Sequence, residues 1–292
     1  MVAVIAVFGP TASGKTAVAE AIADRLGTDV VSCDALQVYR GMPILTNQPS
    51  RPTALVAIRR LSEQMSVGAY ATLAHTAIDE RVARSGTAVV SGGTGLYLRA
   101  ALADLAVPPP PGIGVRERLA AEIEADPVAA HDRLEGLDPR SAGAVHVNDT
   151  RRLVRALELA EAGDSLVPED DRLWASGTRH PTMIVGIDVP ADDLERRIVA
   201  RTATMFAQGV VEEVRAALEA GVSPTAAKAL GLAEIASLPE VEARARIIIR
   251  TRRYAAYQRK WMRRIPGLVS VDGTRSPEEV ADAVLEVARA RQ

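Results

Sequence analysis

Three features of the sequence predict an α/β fold: a parallel sheet flanked by helices, with a mainly helical insertion domain. An apolar run near the start ends in a glycine-rich loop and continues as a helix. Short apolar strands alternate with helical stretches along the first third of the chain, which is the pattern of a doubly wound sheet. A block of prolines, Val107 to Gly114, then breaks this alternation, because Pro continues neither a helix nor a central strand.

The elements follow in order. "VAVIAVF" (Val2 to Phe8) is continuously apolar, as a buried parallel strand should be. "TAVAEAIADRLG" repeats apolar residues at helical spacing and stops at Gly27. "DVVSCD" predicts a second strand ending at Asp34, and "TAVVSGGTG" (Thr87 to Gly95) a third ending in glycines. From Val115 to about Trp174 the pattern is helical, broken at Asp126-Pro127 and Asp138-Pro139. "TMIVGIDVP" (Thr182 to Pro190) returns the chain to the sheet, and "ADDLERRIVART" opens a helix with acidic residues in its first turn, where the dipole favours them. The expected organisation is a first core part at 1–111, a helical insertion at 112–178, and a return to the core with basic C-terminal helices at 179–292.

Composition narrows the function. Of the 292 residues, 48% are hydrophobic and only 3% aromatic, so the core must be built from Ala, Val, Leu and Ile. A formal net charge of −2 argues against a globally basic nucleic-acid binder but leaves room for a local basic surface. One cysteine, Cys33, allows neither a disulfide framework nor a Cys-rich zinc site, and its strand position suits a buried apolar role. The four histidines are scattered without metal-ligand spacing. The start of the chain reads as neither a signal peptide nor a membrane span, so a soluble cytoplasmic protein is expected.

Gly9-Pro10-Thr11-Ala12-Ser13-Gly14-Lys15-Thr16 fits the phosphate-binding pattern G-x-x-x-x-G-K-[ST], with a strand before it and a helix after it, as in P-loop NTPase-like folds. Backbone N–H groups and the helix N-terminus cradle phosphate oxygens, Lys15 supplies a point charge, and Thr16 can hold Mg²⁺. Such a loop is ATP-binding in many proteins, but it recognises any pyrophosphate-like group. ATPases add an acidic residue at the end of an apolar strand, and the third strand here has Ser91 there. A group-transfer enzyme therefore fits better than an ATP-driven motor. Asp34 ends the second strand, where α/β sheets place ligands, and can act as base, hydroxyl partner or metal ligand, or simply cap the next turn. Gly92 to Gly95 permit close backbone approach to a ligand, or merely a turn, and Thr94 adds a hydroxyl. Arg201, one turn past Arg197, can reach back over the loop's phosphates or form a surface salt bridge with Glu195 or Glu212. Between Arg244 and Arg264 nine basic residues run without an acidic one, with Tyr254, Tyr257 and Trp261 among them. That stretch suits RNA phosphates and bases, or a solvated helix face.

"GPTASGKT", "DALQVYRGM" (Asp34 to Met42), "GGTGLYLRA" (Gly92 to Ala100) and "NDTRRLVRALE" (Asn148 to Glu158) occur in the order and spacing of the tRNA dimethylallyltransferases. The end, "RTRRYAAYQRKWMRR", resembles that family too. The resemblance covers nearly the whole chain. It implies that residues Gly9 to Thr16 hold the diphosphate of dimethylallyl diphosphate and that Asp34 is the base. It further implies that Thr94 lies near donor and adenine, and that Asp34, Ala35, Leu36 and Gln37 with Arg151, Arg152 and Arg155 contact tRNA at its anticodon stem-loop. The cofactor expected is Mg²⁺, and the protein is expected to be a monomer. The sequence departs from the family at Ala35, usually Ser, and at Gln48, usually Lys. It also has Thr53-Ala54 in place of two histidines, and Leu232-Ala233 in a looser motif. A small-molecule kinase, or a tRNA-binding relative without catalysis, remains open on the sequence.

Overall fold

The computed structural model describes residues 2–105, 111–112, 114–167 and 177–290. The chain forms two compact units: Met1–Leu105 with Ser176–Gln292, and Ala106–Ala175.

In the first unit β1 (Val4–Phe8) leads into α1 (Lys15–Leu26), then β2 (Val30–Ser32), the short α2 (Pro43–Thr46), α3 (Val67–Ser85), β3 (Ala88–Gly92) and α4 (Gly95–Leu102). Gly27, at φ 61°, ends α1 by donating its N–H back to the last turn, a left-handed conformation that favours glycine.

The second unit holds α5 (Val115–Ala125), α6 (Pro127–Leu137), α7 (Pro139–Ala144) and α8 (Thr150–Glu161) around Leu119, Ile123, Leu134, Leu153 and Leu157. Its two Asp-Pro pairs start helices. Asp126 accepts from the N–H of Val128 and Ala129 at 3.0 Å, and Pro127 takes the first helical position, where no N–H is needed; Asp138 and Pro139 repeat the device. The expected helical reading of 168–174, like most of the proline block, lies outside the described residues.

The chain returns with β4 (Thr182–Asp188), α9 (Ala191–Ala207), α10 (Val210–Glu219), α11 (Leu232–Ser237), α12 (Glu240–Met262), β5 (Val269–Asp272) and α13 (Pro277–Ala290). The sheet order is β2-β3-β1-β4-β5 and every pairing is parallel. Helices cover both faces, as a parallel sheet requires. Along β1 the side chains alternate: Val4, Ala6 and Phe8 join one core with Tyr70 and Leu98, whereas Ile5 and Val7 join the other with Ile22 and Val284. The predicted parallel sheet is therefore present, with one strand more than the sequence reading contained. That strand, β5, is a partly exposed edge of four residues, too short to carry a period.

This topology positions the site. The link from β1 to β2 runs to one side of β1, and β4 lies on the other, so the strand order reverses beside β1. Phe8 pairs with Gly92 and Ser32 with Ser91, so the loops after β1, β2 and β3 emerge together at the carboxyl edge, the usual ligand crevice.

Candidate active site

The loop after β1 is shaped by its glycines. A Cβ on Gly9 would stand 2.7 Å from the Ser13 hydroxyl, and Gly14, at φ 86°, turns the chain into α1. Ala12 is also left-handed, at φ 64°. Helix α9 braces the loop. Arg201 Nη1 donates to Thr11 Oγ1 at 2.7 Å, and Arg197 donates to the carbonyls of Ser13 and Gly273 at 3.2 Å. Arg201 is thus at the loop, and Glu195 pairs instead with Arg252. Burial pushes the Lys15 ammonium below its ordinary range, Asp34 pulls it back up, and Arg201 pushes it down again. Burial lowers the Arg201 guanidinium too, with Asp34 opposing. Two partly desolvated cations beside an α-helix N-terminus make a site that an anion would relieve.

Asp34 has two jobs. Its Oδ1 accepts from the N–H of Leu36 at 2.9 Å and of Gln37 at 3.4 Å, so it caps the turn after β2. The same residue lines an open cleft with Lys15, Thr16, Glu20, Ser32 and Gln37. Glu20 was not singled out from the sequence. It lies one turn past Thr16 on α1, and burial raises its pKa. The oxygen donors here, a hydroxyl and carboxylates, suit a hard cation such as Mg²⁺. Gln37 holds the following loop: its Oε1 accepts from Ser32 at 2.9 Å, and its Nε2 donates to the Asn47 carbonyl at 2.8 Å. Gln48, at a position where the resembling family has Lys, donates to the Tyr39 carbonyl at 2.7 Å and closes the same loop. Ala54 forms a parallel bridge to Val31, and Leu232 is buried at the start of α11. Ala35 and Leu36 are half-buried.

The glycines after β3 serve packing within the protein. A Cβ on Gly92 would come within 2.5 Å of Cys33, one on Gly93 would overlap the Gln258 amide, and one on Gly95 would overlap the Trp261 ring. Thr94 sits at the N-terminus of α4 without capping it, and its hydroxyl lies 3.4 Å from that of Tyr254 rather than in the lining of the cleft. Burial and then Asp34 push the Tyr254 phenol up to about 12, with Thr94 and Gln258 pulling the other way. Tyr254 is therefore neutral at physiological pH.

Among the α8 arginines, Arg151 and Arg152 are exposed, and Arg155 donates to the buried Glu158 at 3.1 Å, which also takes Arg116 at 2.6 Å. On α12 tertiary partners neutralise much of the basic run. Arg250 pairs with Glu234, Arg252 with Glu195 at 2.6 Å and Arg259 with Asp188 at 3.0 Å, while Arg244 pairs with Glu240 and covers the Phe206 ring. Arg246, Arg253 and Lys260 are exposed and have no ion pair among the described residues; they lie at i, i+7 and i+14 on one helix stripe, with the exposed Tyr257 between the last two.

The IPP transferase family model matches residues 37–265, and an isopentenyl transferase model matches residues 2–63. This chain belongs to the IPP transferase family. A tRNA dimethylallyltransferase of Anaeromyxobacter dehalogenans is 37% identical over 96% of this chain and 98% of its own, and one from Salinispora tropica is 36% identical over 94% and 89%. The crystal structure of the tRNA isopentenylpyrophosphate transferase of Bacillus halodurans superimposes with a TM-score of 0.70 at 28% identity, covering 99% of this chain and 96% of that one. A eukaryotic dimethylallyltransferase, 22% identical, shares the fold with a TM-score of 0.82 over 100% of this chain and 79% of its own.

Proposed function

We propose that this member of the IPP transferase family moves a dimethylallyl group from dimethylallyl diphosphate to the exocyclic amine of an adenosine beside the tRNA anticodon, releasing diphosphate. The observation that carries the reading is the carboxylate of Asp34 in one cleft with Lys15 and Thr16 of the phosphate loop, in a chain of this family. The amine attacks the allylic carbon, the carbon–oxygen bond to diphosphate breaks, and the amine gives up one proton. Lys15, Arg201 and the loop amides meet the charge that grows on the leaving diphosphate. Asp34 accepts the proton as the amine bonds to carbon and becomes more acidic. Mg²⁺, held by the Thr16 hydroxyl with Asp34 or Glu20 nearby, would supply further charge neutralisation for the diphosphate.

The stripe of Arg246, Arg253 and Lys260, with Arg151 and Arg152 on α8, supports contact with tRNA phosphates. An anticodon loop is single-stranded, so turning out its adenine costs little pairing. No helix among the described residues is long and apolar enough to cross a membrane. A cytoplasmic monomer is part of the same proposal, since tRNA is the acceptor it assigns. The deciding experiment is mass spectrometry of tRNA nucleosides after incubation with dimethylallyl diphosphate, with Mg²⁺ and with a chelator. An isopentenyl mass gain on adenosine, lost on chelation, is expected. ATP consumption indifferent to tRNA would indicate a kinase instead, and tRNA binding without donor turnover a relative that has lost catalysis.

A further inference from the structure

Helix α12 is remote from the phosphate loop in sequence, yet it presents Tyr254, Gln258 and Trp261 at i, i+4 and i+7 to the turn after β3. Gln258 is only 2% exposed, and its amide bonds backbone at both ends besides meeting the Tyr254 phenol. Its Oε1 accepts from the Thr11 N–H at 2.7 Å, and its Nε2 donates to the Gly93 carbonyl at 2.8 Å. Thr11 belongs to the phosphate loop, and its hydroxyl is held from the other side by Arg201. Gly93 directly precedes Thr94. A single planar group thus joins the loop after β1 to the turn after β3, and Gly93 must lack a Cβ for the two to meet.

We propose that Gln258 is a positioning residue for prenyl transfer, whose amide fixes the diphosphate loop against the Gly93-Thr94 turn and so sets the donor against the acceptor. The proposal rests on the transferase reading above. Neither amide atom need touch a reactant. Without the amide, Thr11 N–H and Gly93 C=O are left unsatisfied, and each regains a partner only by moving. Lys15 and Thr16 are carried by α1 and do not depend on the amide, so most of the donor affinity should survive while the donor's alignment suffers.

The test compares wild type with Gln258→Met, which keeps the length but not the hydrogen bonds, and with Gly93→Ala, whose Cβ would overlap the amide nitrogen and crowd the Gly9 carbonyl of the loop. Single-turnover transfer to an anticodon stem-loop RNA and affinity for dimethylallyl diphosphate are measured below the melting transition, with thermal melting followed in parallel. Transfer at saturating donor should fall about 10- to 100-fold, with donor affinity changed less than about threefold. The double variant should be no slower than the slower single one, because both break the same clamp. A residue that merely fills the core would lower the melting temperature and leave the rate alone. A wild-type rate in folded Gln258→Met therefore overturns the proposal. Should that variant not fold, Gln258→Glu decides, since it keeps the acceptor for Thr11 and loses the donor to Gly93; an unchanged rate there overturns the proposal equally. A wild type that transfers nothing refutes the function reading and takes the positioning role with it, whereas an active wild type with indifferent variants refutes the clamp alone.

Discussion

Replacing Asp34 with Asn and with Ala separates the turn cap it makes from the base role proposed for it. Asn keeps a carbonyl oxygen where Oδ1 accepts from Leu36 and Gln37, so the turn after β2 should persist. What Asn lacks is the capacity to take a proton. A positioned general base contributes about 10²- to 10⁴-fold. That range corresponds to about 3–5 kcal/mol on the barrier, so transfer should fall by that factor in Asp34→Asn. Asp34 also offsets the charges of Lys15 and Arg201, so its neutralisation should leave diphosphate binding intact or tighter. Asp34→Ala should lose the same rate, and in addition about 1 kcal/mol of stability for the missing cap. Single-turnover transfer, calorimetric donor affinity and melting curves on the two variants resolve these effects. A single-turnover rate in Asp34→Asn equal to wild type would refute the assignment of the base, and equal melting of the two variants would refute the cap.

Three further outcomes are expected. Lys15→Met should abolish donor binding yet raise the melting temperature of the free protein, because the folded state lowers the Lys15 pKa and so disfavours its charged form. The unfolded chain binds more protons between that lowered value and the ordinary lysine value, so wild type should gain stability relative to Lys15→Met as pH rises through this window; pH-dependent melting of the pair checks the sign. Arg253→Gln and Lys260→Gln should each flatten the log–log salt dependence of tRNA binding by about 0.7–0.9 without lowering the melting temperature. Arg250→Gln should instead leave the salt slope unchanged and cost about 1–3 kcal/mol, because it strands the nearly buried Glu234, as denaturant titration would report.

The sequence by itself determined the features that depend on residues close together in the chain. The phosphate loop is legible because its glycines, lysine and threonine act through their own backbone, and β1 because it is buried on both faces. Asp34 is legible because it follows a strand. The cap it makes, two and three residues on, is equally local. Only the tertiary structure decided what those residues meet. The run from Arg244 to Arg264 reads as unbroken positive charge because its acids lie elsewhere: Arg252 finds Glu195 across 57 residues and Arg259 finds Asp188 across 71. The glycines after β3 look suited to a ligand, but their missing side chains make room for Cys33, Gln258 and Trp261. Gln258 meets Thr11 across 247 residues, and no spacing rule reaches that far. Local motifs specify the candidate site groups through short-range backbone geometry, whereas their alignment and the surviving surface charge depend on long-range packing, which one-dimensional periodicity does not encode.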